Sequence, residues 1–266
     1  MENSQKIYEE LLLQYEDLND VEKNAILVYK SKLFVIINSI SKIVGYDKLS
    51  VSQIIKELPN KEECINVFNS YSKTLSDLKN KFIKNTVFSN IRFDTFENLI
   101  SDLIIIIDVL NTISFKLILN DDTIVYRSIL VDKNKEFDFI NDSPSFISTS
   151  IKIDDAELFL NGDNTKDKHF YKIKLNKGVP VIVSPFTVVR KYDSPGDELL
   201  ANDNYSLMIS NRGIVGQQEI TLFKNLISYE EISDKMMNDE EENIFLHSIE
   251  VSLKENVYSN NEVNFK

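Results

Sequence analysis

Apolar positions recur at helical spacing through residues 1–116. Ile7, Leu11, Leu12, Tyr15 and Leu18 fall on one face of a first helix. Asp20 reads as the N-cap of a long helix from Val21 to about Ile43. Ser50 caps a helix over Val51 to Leu58, Asn60 a polar one from Lys61 to about Phe82, and Asp94 one from Thr95 to about Leu110. From about Leu117 the pattern changes to short β-branched and aromatic runs: Thr123 to Leu130, Phe146 to Ile151, His169 to Leu175, Val179 to Val189, Tyr205 to Ile209, Gln217 to Phe223 and Ile244 to Leu253. Asn-, Asp-, Gly- and Pro-bearing turns separate these strands, as at Asn176-Lys177-Gly178. Helices first and strands second predict an α+β fold. The expected architecture is one domain over 1–266, with a helical lobe (1–116) packed on a β-rich part (117–266) of two small, mostly antiparallel sheets.

Composition narrows the function classes. The formal charge is −12, from 42 acidic and 30 basic side chains, so the surface as a whole repels phosphate backbones and a nucleic-acid partner is not expected. One cysteine, Cys64, and two histidines, His169 and His247, make neither a disulfide framework nor a conventional zinc cage, so no metal is expected. The most apolar run, Leu103 to Ile107, is bounded by Asp102 and Asp108 and is far shorter than the roughly 20 residues of a membrane span, so no membrane role is expected. The beginning of the chain, Met1-Glu2-Asn3-Ser4-Gln5, lacks the pattern of a secretory signal. The six glycines form neither a dinucleotide fingerprint nor a phosphate-binding loop.

Three short elements in the strand half bear chemistry. The first is Val125-Tyr126-Arg127-Ser128, with an arginine inside an otherwise apolar run. The second is Phe146-Ile147-Ser148-Thr149-Ser150, with three consecutive hydroxyls. The third is Gly213-Ile214-Val215-Gly216-Gln217-Gln218-Glu219, a loop leading into a strand. Each alone reads as an ordinary polar strand. In this order they resemble the Arg, Ser-Thr-Ser, Gln/Glu-x-Glu pattern of the mono-ADP-ribosyltransferase toxins. Leu18-Asn19-Asp20-Val21-Glu22 with Ala25, Ile26, Tyr29, Ile37 and Asn38 is similar to that family's leading helix. Asp122 to Arg127 and Lys172 to Gly178 are similar to two of its strands.

The resemblance implies NAD as substrate, without a metal, and transfer of ADP-ribose to a side chain of a host protein. Glu219 would stabilise the oxocarbenium-like ribose. Arg127 would supply the rigid cationic fork for the pyrophosphate. Ser148 would brace the glutamate, and Thr149, Ser150, Tyr126, Ser128 and Asn38 would line the dinucleotide. Phe159 is a candidate for stacking on nicotinamide, against an ordinary core role, and Lys42 stands near the place of a leading-helix cation. Gln217, in place of a second carboxylate, implies an acceptor other than arginine, because an amide both donates and accepts. The Gly216-Gln217-x-Glu219 form is similar to that of clostridial exoenzymes acting on Rho-type small GTPases, although Ile214 stands where those carry an aromatic. A secreted or delivered toxin acting in a host cytosol is the corresponding biology. NAD hydrolysis, or a non-catalytic relative that binds a partner, is the alternative.

Overall fold

A computed structural model describes residues 2–43, 45–70, 94–117, 119–137, 146–157, 160, 165–184 and 244–253, and the main chain alone for 187–190, 199–202, 206–210 and 218–224. The helices are α1 (Glu2–Glu16), α2 (Asp20–Val28), α3 (Phe34–Ser41), α4 (Val51–Glu57), α5 (61–70), α6 (Phe96–Lys116) and α7 (Ile153–Glu157). The strands are β1 (Thr123–Asp132), β2 (Phe146–Ser150), β3 (Lys166–Leu175), β4 (Val181–Ser184), β5 (Thr187–Arg190), β6 (Leu199–Asn202), β7 (Ser206–Ser210), β8 (Gln218–Lys224) and β9 (Ile244–Leu253).

Helix starts follow their side chains. Asn19, one residue before the expected Asp20, caps α2 in a capping box with Glu22: Asn19 Oδ1 accepts from the Glu22 N–H, and the Glu22 carboxylate from the Asn19 N–H, both at 3.0 Å. Thr95, rather than Asp94, caps α6, while Ser50 and Gln53 form the expected box on α4. The long helix expected from Val21 to Ile43 is interrupted by a π-helical turn, Tyr29–Leu33, around a non-helical Ser31 with ψ 176°.

The expected pair of sheets is corrected to one mixed sheet in the order β4-β7-β2-β1-β3-β9-β8, beside a two-stranded β5–β6 ribbon. β3 and β9 run parallel and the other neighbours antiparallel. The seam between β2 and β1 is a single registered pair, Tyr126↔Ser150. Two turns tie the middle of the sheet: Gly178, at φ 88°, lies in the turn that bonds Val179 N to Asn176 O, and the Lys177 N–H donates to Asp122 Oδ1 at 2.9 Å.

One face of the sheet joins the helices in the main core. Ile7, Leu11, Ile26, Ile36, Leu103 and Ile107 from the helices meet Val125, Ile173, Val181 and Ile249 from the strands. The other face carries a smaller core of Ala156, Leu160 and Phe170, against which Tyr126, Leu130 and Leu246 pack. Because strand side chains alternate, Val125, Arg127 and Ile129 face the helical lobe and Tyr126, Ser128 and Leu130 face away.

Candidate functional site

Arg127 lies where the helical lobe meets the seam of the sheet. Its Nη1 donates to the Ser148 carbonyl oxygen at 2.5 Å, while its Nε is buried with no hydrogen-bond partner among the described residues. Burial pulls its pKa down from the usual arginine range, and the ionisable groups that offset this are the Tyr29 and Tyr171 hydroxyls, not a carboxylate. Tyr171 is its registered partner on β3. Lys30, in the π-helical turn, is a second cation here: burial, reinforced by the charge of Arg127, lowers its pKa to about 8. Two half-buried cations thus influence one another here, and among the described residues no carboxylate acts on Arg127.

The seam explains why Arg127 turns toward β2. In a strand, the main-chain groups of alternate residues point to the same edge, so Phe146, Ser148 and Ser150 share the edge that faces β1. Only Ser150 is registered with β1, opposite Tyr126. Arg127 takes the Ser148 carbonyl, and the helical lobe takes Phe146: Tyr29 Oη donates to Phe146 O at 2.7 Å, and the Phe146 N–H donates to Asn38 Oδ1 at 3.0 Å. Buried main-chain groups need such partners, and here side chains replace a neighbouring strand. Asn38 Nδ2 also donates to Tyr29 Oη at 3.3 Å. Burial raises the Tyr29 pKa, so its hydroxyl keeps its proton.

The residues singled out from sequence therefore divide. Arg127, Ser148 and Asn38 come together, with Asn38 bonded through both ends of its amide to Phe146 and Tyr29. Thr149 and Ser150 are buried on the same strand. Tyr126 and Ser128 lie on the opposite face of β1 from Arg127, Tyr126 with its ring 6.0 Å from that of Phe170. Gln217 and Phe159 lie outside the described residues, as does the side chain of Glu219. The Glu219 main chain is on edge strand β8, registered with Ser252, whereas the row through Arg127 continues across Tyr171 and His247 to Lys224. Three inter-strand steps, about 14 Å, and five residues along the strand separate the two positions, so the sheet does not bring them side by side.

Sequence reasoning missed Lys30, looking instead to Lys42, and missed the part of Tyr29 in holding β2. The signal was present in Tyr29-Lys30-Ser31-Lys32, a polar break with two cations in an otherwise apolar helical run.

No family model matches the sequence, and no curated protein matches it. Among solved structures, the chain is similar to Vis toxin, an ADP-ribosyltransferase from Vibrio splendidus, at 10% identity over 97% of this chain and 87% of that one, with a TM-score of 0.40. It is similar to Plx2a, an ADP-ribosyltransferase toxin from Paenibacillus larvae, at 13% identity over 94% and 96% of the two chains, with a TM-score of 0.38. For C3larvin toxin, an ADP-ribosyltransferase from the same organism, the values are 14%, 80%, 96% and 0.26.

Proposed function

We propose that this protein is a mono-ADP-ribosyltransferase of the toxin type, which moves ADP-ribose from NAD to a non-arginine side chain of a host protein. The observation that carries the reading is Arg127: a half-buried guanidinium whose buried Nε has no hydrogen-bond partner among the described residues, on the strand that the Arg, Ser-Thr-Ser, Gln-x-Glu pattern marks for NAD. Arg127 and Lys30 hold the pyrophosphate, the planar fork fixing its orientation and the ammonium adding charge. Nicotinamide leaves with the electron pair of its bond to the ribose, the acceptor side chain attacks the same carbon and loses a proton, and Glu219 faces the positive charge that develops between the two events. Gln217 orients an uncharged acceptor. The roles of Gln217 and Glu219 rest on sequence pattern alone. The chain acts as one domain, and its place of action is the cytosol of a host cell into which it is delivered.

Calorimetry with NAD, and labelling of a host lysate with NAD labelled in its adenylate half, test this. Arg127→Lys is expected to weaken NAD binding by about ten-fold or more, since lysine cannot reproduce the fork. Glu219→Ala is expected to abolish the labelled band while leaving NAD binding near the wild-type value. Nicotinamide release with no labelled band would make the protein an NAD glycohydrolase, and absence of NAD binding would end the reading. The separation of β8 from β1 favours one second reading, a non-catalytic relative that binds the dinucleotide or a partner. NAD binding with neither labelling nor nicotinamide release would select it.

A further inference from the structure

Tyr29 and Asn38 belong to one helical stretch, nine residues apart. In an unbroken α-helix nine residues amount to two and a half turns, so the two side chains would point about 180° apart and be offset by about 13.5 Å along the axis. In this protein the Asn38 amide instead donates to the Tyr29 hydroxyl at 3.3 Å. The break at Ser31 makes this possible. Its ψ of 176° redirects the chain, its hydroxyl donates to Val28 O at 2.5 Å, and the Leu33 N–H donates to that same hydroxyl oxygen at 3.3 Å. A serine side chain thus replaces ladder bonds that the kink removes.

The converging pair grips one residue. Phe146 opens β2, and both its main-chain groups are held from the helical lobe, the oxygen by Tyr29 and the N–H by Asn38. Two residues along the same strand edge, the Ser148 carbonyl takes Arg127 Nη1. The aim of the guanidinium is therefore set by where Ser148 stands, and that is set by the hold on Phe146. The aromatic ring of Phe146 adds to the hold, lying edge-on to that of Tyr29 with centroids 5.4 Å apart.

We propose that the Ser31 kink, Tyr29 and Asn38 form a positioning clamp that seats β2 against the helical lobe and thereby aims Arg127 at its anion. Tyr29 and Asn38 are positioning residues that act through Phe146 and Ser148, and Asn38 does not itself contact the ligand. The clamp rests on the proposed function only for the identity of that ligand.

The test separates the two. In protein labelled with ¹⁵N-arginine, the Arg127 Nε–H resonance is assigned by its loss in Arg127→Lys, and its exchange with water is measured without ligand. Tyr29→Phe and Asn38→Ala each remove bonds of the clamp, and each is expected to speed that exchange about ten-fold or more. Ile54→Val trims a fully buried side chain of α4, outside the clamp, and serves as the control for a general loss of stability. It is expected to leave the exchange within about two-fold of wild type, since it removes no hydrogen bond of the clamp. Equal effects of the control and the clamp variants, or an unchanged rate in Tyr29→Phe, which keeps the ring and its packing, would overturn the clamp. In the second arm, Asn38→Ala is expected to raise the dissociation constant for NAD about ten-fold, and an unchanged constant would also overturn it. If the wild-type protein binds no NAD, the functional reading fails while the exchange arm still decides on the clamp.

Discussion

A buried guanidinium nitrogen without a partner is costly to keep, and among the described residues the Nε of half-buried Arg127 is such a group. Its hydrogen bond to the Ser148 carbonyl compensates only part of the desolvation, and the nearby Lys30 adds repulsion. A residue retained for packing would not be charged here. Arg127→Met, which keeps an unbranched apolar stem and removes the charged head, is therefore expected to stabilise the ligand-free protein by on the order of 1 kcal/mol while eliminating NAD binding. Urea unfolding beside calorimetry checks both halves. Destabilisation by about 2 kcal/mol or more would mean that the guanidinium holds the fold together and was not kept for a ligand. This cation and its neighbour Ser148 were legible in the sequence, because an arginine in an apolar strand and a run of hydroxyls both break the local pattern. Tyr29 was legible only as one more large residue on a helix face, since what it does depends on a main-chain edge supplied 117 residues away.

At the scale of elements, the chain's two histidines join β3 to β9, with His169 Nδ1 and His247 Nε2 3.0 Å apart. Their planes differ by 2° and their centroids lie 5.1 Å apart, so the rings meet edge to edge through that bond. Burial, with the proximity of His169, lowers the pKa of His247 from 6.5 to about 4, and burial lowers that of His169 as well. Above pH 6.5 both imidazoles are neutral in the folded and unfolded chains alike. As the pH falls, the unfolded chain takes up protons first, so stability is lost between pH 6.5 and about 4 and the loss levels off below that. For half-buried groups the expected loss is about 2 kcal/mol, measured as the difference in urea unfolding between pH 7 and pH 4.5 against His247→Gln. Identical pH profiles for the two proteins would remove the histidine pair from the account. None of this pairing was readable from sequence, because the register that brings residues 78 apart together is decided by the whole sheet. The elements themselves read well, and the misses are local and physical. Asn19-Asp20 and Asp94-Thr95 each offer two competent caps in a row, and the choice fell one residue away from the expected one. The kink at Ser31 contains neither proline nor glycine, so it carries no strong breaker signal.

For the whole molecule, the number of sheets was illegible for a related reason: a seam of one registered pair joins β4-β7-β2 to β1-β3-β9-β8 in one sheet, and strand patterning carries no sign of such a seam. What crosses the two lobes is more decisive than that seam. Tyr29 and Asn38 of the helical lobe hold both main-chain groups of Phe146 in β2, Tyr29 Oη donating to Phe146 O and the Phe146 N–H donating to Asn38 Oδ1. The main core runs without interruption from Ile26 and Leu103 in the helices to Val125 and Ile249 in the sheet. Residues 1–116 alone would expose the apolar stripe of α6 that this sheet covers, so that fragment is expected to show no cooperative unfolding transition. Mixed with residues 117–266, it is expected to regain one, monitored by near-ultraviolet circular dichroism. The site adds a second condition, because Lys30 and the clamp come from one fragment and Arg127 from the other. NAD binding should therefore return only in the mixture, at the same fragment ratio that restores the transition. Cooperative folding of residues 1–116 by themselves would show that the helical lobe is an independent body, and Arg127 could not then owe its aim to a core shared by both halves.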